Sequence, residues 1–378
     1  MALLPVADAL ARLLSDAGPL EPEKAAIGDA SGRVLAAPAV ADRTQPPFPA
    51  SAMDGYAVRA NDVVTVPRTL TVIGEAAAGH AFGRPVAPGE AVRIFTGAPV
   101  PPGADAILIQ ENARDVGIGL IEALETVASG RHIRRAGLDF TAGDELLSAG
   151  RVLDPAALSL AAAGNCAELS VVRRPRVAVL ATGDELVSPG GAPGPDQIIA
   201  SNGYGIAALV VAAGGHPIDL GIARDRLDEI EAAVDRAVAA EADILVTLGG
   251  VSVGDHDLVQ KALSAKGMAL DFWKIAIRPG KPLMYGRLGA MRVLGLPGNP
   301  VSSLVCGHVF LKPLVARLAG LPDAHDIREV RLAVAMSAND QREDYVRGEV
   351  SRGPDGNLLA RPFTLQDSSV LSVLSNAN

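Results

Sequence analysis

The stretch Val177-Ala-Val-Leu-Ala-Thr-Gly-Asp-Glu-Leu186 decides the fold: an apolar run of strand length empties into a loop of Thr, Gly and two acids. The same order returns twice. Ile244-Leu-Val-Thr-Leu248 leads into Gly249-Gly-Val-Ser-Val-Gly-Asp-His-Asp257 and a helical pattern over 258–263. Val293-Leu-Gly-Leu296 leads into Pro297-Gly-Asn-Pro-Val-Ser-Ser303 and a helical pattern reaching Leu318, while the first run is followed by one over 207–213. Continuous apolar strands that alternate with helices predict a parallel sheet covered on both faces. In open sheets of this kind ligands bind in the crevice at the carboxyl ends of the strands, so the loops at those ends are the expected seat of the chemistry.

Outward from this centre the composition changes. Val6, Leu10, Leu13 and Leu14 recur as on an amphipathic helix, and Gln45-Pro-Pro-Phe-Pro-Ala-Ser-Ala-Met-Asp-Gly-Tyr56 is too rich in proline for a helix or a central strand. Short β-rich runs such as Leu70-Thr-Val-Ile73 and Ala106-Ile-Leu-Ile109 then alternate with turn signals such as Pro88-Gly89. Helical pattern resumes at Pro155, with Asp154 as N-cap, and beyond Pro322 alternating segments suggest a small β domain. The expected division is a helical region over 1–44 and 138–173, an inserted β-rich domain over 45–137, a central α/β domain over 174–320, and a C-terminal β domain over 321–378. The echo between Gly143-Asp-Glu-Leu146 and Gly183-Asp-Glu-Leu186 is read as coincidence, because a true repeat would extend over a whole supersecondary unit.

With 378 residues, 49% of them apolar and 20% charged, the chain has the makings of several folded cores and lacks the marks of disorder. A net charge of −9 argues against a general binder of nucleic acid or of anionic membrane surface, both of which need a basic face. Cys166 and Cys306 stand far apart and outside any C-x-x-C pattern, which fits a reducing compartment. The N-terminus lacks a basic leader, and no apolar run approaches the roughly 20 residues of a membrane span, so a soluble cytoplasmic protein is expected.

Three loops carry the candidate chemistry. Thr182-Gly-Asp-Glu185 follows a buried strand, and Ser201-Asn-Gly203 precedes the next helix, where backbone N–H groups suit an anion. Taken alone, the same residues are ordinary turn formers. The glycines of the Gly249–Asp257 loop let the main chain approach a phosphate, and the trailing Asp255 and Asp257 offer the hard oxygens that Mg²⁺ prefers. This loop lacks the Lys of a P-loop, and the chain holds no G-x-G-x-x-G. Gly250-Val-Ser-Val-Gly254 spells a nucleophile elbow, with His308 and His325 following in triad order, so a serine hydrolase acting through Ser252 is a competing reading. Alternation over 272–278 is expected to place Lys274 and Arg278 on one face of a strand, with Lys281 just beyond; five of the six lysines fall between Lys261 and Lys312. A solvated edge strand would also carry such charges. Beside two Gly-rich loops in an acidic chain, however, the cluster suits a phosphate or another oxyanion, and Ser302 and Ser303 add donors at a helix start.

In one order along the chain, Ser51-Ala-Met-Asp-Gly-Tyr-Ala57, Ile94-Phe-Thr-Gly-Ala98, Thr182-Gly-Asp-Glu-Leu186, Gly249-Gly-Val-Ser-Val-Gly-Asp255, Lys274, Arg278-Pro-Gly-Lys-Pro282 and Leu296-Pro-Gly-Asn-Pro-Val-Ser302 closely resemble the molybdopterin molybdenumtransferase family, which includes the gephyrin E domain. The resemblance implies an elongated multi-domain homodimer whose helical region dimerises. It implies insertion of molybdate into adenylylated molybdopterin with Mg²⁺-dependent release of AMP, and contact with other proteins of molybdenum cofactor biosynthesis. Carried over by residue, it implies catalytic roles for Asp54, Thr96, Asp139, Glu185, Asp225, Ser252, Asp255 and Asp257, with Glu185, Asp255 and Asp257 as candidates to hold Mg²⁺. Substrate binding falls to Thr182, Gly183, Gly249, Gly250, Lys274, Arg278, Lys281, Pro282, Pro297, Pro300 and Ser302, and Arg347 is a further candidate contact for molybdate.

The chain departs from the family pattern in three places. Arg278 stands where many relatives have Lys, Phe48-Pro-Ala50 replaces more polar residues, and the chain stops at Asn378 where relatives usually continue, which points to a shortened or trimmed last domain. Two related functions compete: the adenylyltransferase of the preceding step, which shares the central fold but lacks the added β units, and a non-catalytic molybdopterin-binding scaffold.

Overall fold

A computed structural model describes residues 3–250, 258–322 and 327–378, and the chain divides into two compact units. The larger comprises Met1–Glu23, Gly32–Ala36 and Val171–Asn378; the smaller comprises Lys24–Ser31 and Ala37–Ser170.

The larger unit is built on a six-stranded sheet. In chain order its strands are β1 (Arg176–Thr182), β2 (His216–Ala223), β3 (Ile244–Leu248), β4 (Ala269–Trp273), β5 (Met284–Leu288) and β6 (Met291–Leu296), arranged β2-β1-β3-β6-β5-β4. The first four in that arrangement are parallel, and β5 pairs antiparallel with both β6 and β4, so that β5 alone runs against the other strands. The all-parallel expectation therefore needs correcting at one edge. There the Gly289-Ala290 turn joins β5 directly to β6, and so short a connection can only reverse the chain.

Helices α1 (Val6–Leu14), α2 (Asn202–Ala212), α3 (Leu227–Ala239), α4 (Leu258–Ala265) and α5 (Pro300–Leu318) cover the sheet. On one face Val6, Ala9 and Leu13 of α1 share a core with Val177, Val246, Leu294 and Phe310; on the other, Leu180, Leu245 and Val293 pack with Ile230, Val234, Val259 and Leu263. The first helix thus belongs to the α/β core, not to a helical region with 138–173, because its apolar stripe is buried against α5 and the sheet. Helix α5 is long and apolar enough to cross a membrane, contrary to the expectation from the sequence, but 78% of its most apolar window is buried inside the protein.

The run from Phe272 to Arg278 is not one strand. Strand β4 ends at Trp273, Lys274 takes a left-handed conformation with φ 73°, and a separate two-residue strand, Ile277–Arg278, pairs in parallel with Glu343–Asp344. The period-2 alternation across Lys274 and Arg278 is broken at that point. The C-terminal segment forms a small sheet from Arg331–Leu332, Gly348–Arg352 and Leu358–Pro362.

The smaller unit holds a second six-stranded sheet, in which Gly55–Val58 pairs with Glu90–Ile94 and Ala106–Ile109, and Arg68–Ala76 runs on to Leu120–Ala123 and Ala113–Gly117. Apolar clusters line both faces of this sheet. The unit also takes in the helix Pro155–Ala163, whose N-cap Asp154 accepts a hydrogen bond from the N–H of Ala157 at 2.8 Å. The expected boundary at 137 is thus not a boundary between compact units, and 138–173 contains strands as well as that helix.

Because Leu180 is fully buried between β3 and α3, Leu180→Ala is expected to cost about 2–5 kcal/mol. Urea unfolding would record this as a lower midpoint at unchanged slope.

Candidate functional site

The register of the parallel strands brings four strand ends together. Thr182 of β1 pairs with Ala223 of β2, Ala181 with Leu248 of β3, and Leu248 with Leu296 of β6. The loops that follow, at Gly183, Asp225, Gly249 and Pro297, line one cleft of about 960 Å³. Residues 278–282 close another side, and Gln366, Asp367 and Ser368 of the C-terminal segment complete the wall.

Backbone geometry explains the glycines of the second loop. Gly249 has φ 94° and Gly250 φ 66°, and a Cβ on Gly249 would lie 2.9 Å from the carbonyl oxygen of Thr182. Any other residue would be strained and would push this loop off the end of β1. The third loop is held in place by side chains. Asn202 Nδ2 donates to the carbonyl of Gly298 at 2.7 Å, and Asn299 Nδ2 donates to Ser368 Oγ at 2.8 Å. The N–H of Val301 donates to the carbonyl of Ser368 at 3.0 Å.

Of the expected site residues, Thr182, Gly183, Glu185, Asp225, Gly249, Gly250, Arg278, Lys281, Pro282, Pro297 and Ser302 line this cleft. Lys274 and Pro300 do not. The Lys274 ammonium lies 4.7 Å over the Trp273 ring, and Pro300 is the first residue of α5. Ser252, Asp255 and Asp257 lie outside the described residues, as does His325. His308 and Arg347 line a separate groove, together with Lys312 and Tyr345.

Asp54, Thr96 and Asp139 belong to the smaller unit. There Asp54 Oδ1 accepts from the N–H and the Oγ1 of Thr96, both at 2.8 Å, and these bonds hold its carboxyl below the usual range. Asp139 donates its backbone N–H to the carbonyl of Gln45 at 3.0 Å.

Residues 366–368 and Asn299 are cleft residues that the sequence reading missed. Asn299 sits inside the quoted third loop, but nothing local marks residues 366–368, whose place depends on contacts with residues some 70 positions away.

The cleft has two electrical poles. At one, burial and the charges of Asp184 and Glu185 push the Asp225 carboxyl above its ordinary range, against the lowering effect of the Asp184 main chain; the backbone N–H of Asp225 in turn donates to Asp184 Oδ1 at 3.3 Å. At the other stand Arg278 and Lys281. The buried Thr182 Oγ1 has no hydrogen-bond partner among the described residues, so an unspent hydroxyl lies at the end of β1. Among the described residues no three His, Cys, Asp or Glu side chains converge to hold a metal ion. Glu185 and Asp225 nevertheless bring carboxylates to the cleft at a point where negative charge is already crowded, a donor chemistry that suits a hard divalent cation.

Comparison with known proteins agrees along the chain. Residues 4–164 match the MoeA N-terminal region (domains I and II), residues 178–317 a probable molybdopterin binding domain, and residues 329–378 the MoeA C-terminal region (domain IV). The chain is 36% identical over 366 residues to the molybdopterin molybdenumtransferase of Haemophilus influenzae, covering 95% of this chain and 89% of that protein. It is 33% identical over 383 residues to that of Bacillus subtilis, covering 99% and 89%. The crystal structure of the molybdopterin biosynthesis moeA protein from Pyrococcus horikoshii superimposes with a TM-score of 0.78 at 29% identity, covering 100% of this chain and 94% of that one.

The raised Asp225 carboxyl sets a pH test. A folded-state pKa above the unfolded one means that ionised Asp225 destabilises the ligand-free protein at neutral pH, and that this penalty disappears as pH falls below about 4. Asp225→Asn is therefore expected to melt higher than the wild type at pH 7 without ligand, with the gap closing on acidification. Thermal melts across that range would record it.

Proposed function

The chain belongs to the molybdopterin molybdenumtransferase family, and from that premise we propose that the cleft at the carboxyl ends of β1, β2, β3 and β6 binds adenylylated molybdopterin and molybdate and releases AMP as the metal enters the dithiolene. The protein is a transferase of molybdenum cofactor biosynthesis. The observation that carries the finer reading is the meeting of two poles in one cleft, Glu185 and Asp225 facing the same space as Arg278, Lys281 and Ser302.

Each pole has a task. The main chain at Gly249 and Gly250 gives a phosphate a close approach without intruding side chains. The Thr182 hydroxyl, unpartnered among the described residues, is free to donate to a phosphate oxygen. Arg278 and Lys281 supply charge-assisted donors for molybdate, a tetrahedral dianion, and Ser302 adds a hydroxyl at the start of α5. Glu185 and Asp225 are the described residues that would hold Mg²⁺, which when bound neutralises the charge developing as water cleaves the phosphoanhydride. Asp255 and Asp257, the other metal candidates that the resemblance implies, follow Gly249 and Gly250 in the sequence and lie outside the described residues. Residues 366–368 wall the cleft.

Asp54, Thr96 and Asp139 enter the proposal as catalytic residues only through the family resemblance. A homodimer, a cytoplasmic location and contacts with other cofactor-assembly proteins rest on the same ground.

AMP release from adenylylated molybdopterin, followed with Mg²⁺ and with or without molybdate, tests the assignment. Molybdate-stimulated release by the wild type is expected, falling by about 10²-fold or more in Glu185→Gln. Retained binding of the nucleotide without any release, in wild type and variant alike, would mark a carrier instead.

A further inference from the structure

Arg278, a cation of the cleft, is already engaged. Nη2 lies 2.6 Å from Asp340 Oδ2 and Nη1 lies 3.2 Å from Asp344 Oδ2, so both arms of the guanidinium fork face carboxylates of the C-terminal segment. Isolated ion pairs this exposed contribute little, because ordering two long side chains offsets the attraction. Here much of the ordering is done by the backbone. Ile277–Arg278 pairs with Glu343–Asp344, and the N–H of Tyr345 donates to the carbonyl of Arg278 at 2.7 Å.

The two carboxylates differ in what they would lose if Arg278 turned away. Asp340 has a second cation: Arg342 Nη2 donates to its Oδ2 at 2.9 Å, and the N–H of Arg342 donates to its Oδ1 at 2.9 Å. These bonds and the nearby Arg278 push the Asp340 carboxyl down to about 2, so it stays ionised at neutral pH whether or not Arg278 is present. Asp344 has Arg278 as its hydrogen-bonded cation, and Arg342 acts on it only through space. Its Oδ1 is buried without a partner among the described residues, and Oδ2 bonds to Arg278. Releasing Nη1 would leave a half-buried carboxylate without a hydrogen-bonded cation, whereas releasing Nη2 leaves Asp340 bonded to Arg342.

We propose that Asp340 competes with the incoming oxyanion for Nη2 of Arg278 while Asp344 keeps Nη1, so that one arm of the guanidinium is exchanged between protein carboxylate and substrate. Asp344 fixes the position of the cation, and Asp340 sets how much the anion must gain to draw Nη2 away. The exchange also favours departure, since Asp340 retakes Nη2 when the anion has gone. An ammonium could not divide itself in this way, because it lacks a planar fork with two separated arms. The inference rests on the reading of the cleft as the molybdate site and names a residue that tunes it.

Calorimetric titration of the full-length protein with molybdate tests it. Asp340→Asn is expected to tighten binding about fivefold, an effect of the size that exposed ion pairs carry, and to lower KM for molybdate with kcat unchanged. In an Arg278→Lys background the same substitution is expected to have no such effect. If Asp340 merely braced the C-terminal segment, its loss would weaken binding, and unchanged or weaker binding by a variant that melts like the wild type would overturn the competition while leaving the site assignment standing. If the wild type bound no molybdate at all, the site assignment would fall and this inference with it.

Discussion

Everything at the cleft depends on the parallel pairing of β2, β1, β3 and β6. Because each strand is followed by a helix that returns across a face of the sheet, the strands all end at one edge, and Thr182, Ala223, Leu248 and Leu296 finish side by side. The opposite edge is fastened. Arg173 grips Asp243 through Nη1 at 3.0 Å and Nη2 at 2.9 Å, and Asp243 Oδ2 also accepts the N–H of Arg176 at 2.7 Å, just where β1 begins. The half-buried pair pins the start of β1 to the chain that enters β3. With that end fixed and both faces covered, the loops at the carboxyl edge do not have to supply the core, and their residues are free to be glycine, proline and charge.

That freedom accounts for the electrical layout. A chain of net charge −9 cannot attract an anion by its overall field, so cations have to be concentrated where the anion is to sit. Arg278 and Lys281 are placed by one short stretch, while the crowded carboxylates follow β1 and β2 across the same cleft. Under the proposed function, a substrate that carries both phosphate and oxyanion chemistry needs such a division: acids alone would repel it, and cations alone would hold it without activating water.

The central strands and their loops were legible in sequence because each signal is local. An apolar run of strand length, a glycine pair and a helical pattern lie within about thirty residues of one another. The antiparallel edge was less so: β5 and β6 are separated by a two-residue turn, and their apolar content does not reveal direction. The break at Lys274 was hidden because Trp273, Ile275 and Ile277 alternate in sequence with Lys274 and Arg278, and nothing in the letters announces a left-handed residue between them. Helix α1 was correctly amphipathic but assigned to the wrong neighbour, since a stripe says that a face is buried and not against what. The same holds for residues 366–368 and for Asp340, whose roles arise from contacts far along the chain.

Those distant contacts change the standing of the C-terminal segment. Viewed as a separate small β domain, it would be an appendage, yet its strand Glu343–Asp344 pairs with the cation-bearing strand and its Ser368 receives hydrogen bonds from both Asn299 and Val301 in the third loop. Without those acceptors, the first N–H groups of α5 and the Asn299 amide would look to water, and the loop that carries Ser302 would lose its support on that side. Gln366 adds a second tie within the segment, donating Nε2 to the carbonyls of Arg347 and Phe363, both at 2.8 Å. The wall of the cleft and the pair of acids that hold Arg278 are thus fixed to one another through the segment's own small sheet, so a shift of that segment would move the third loop and the cationic strand together.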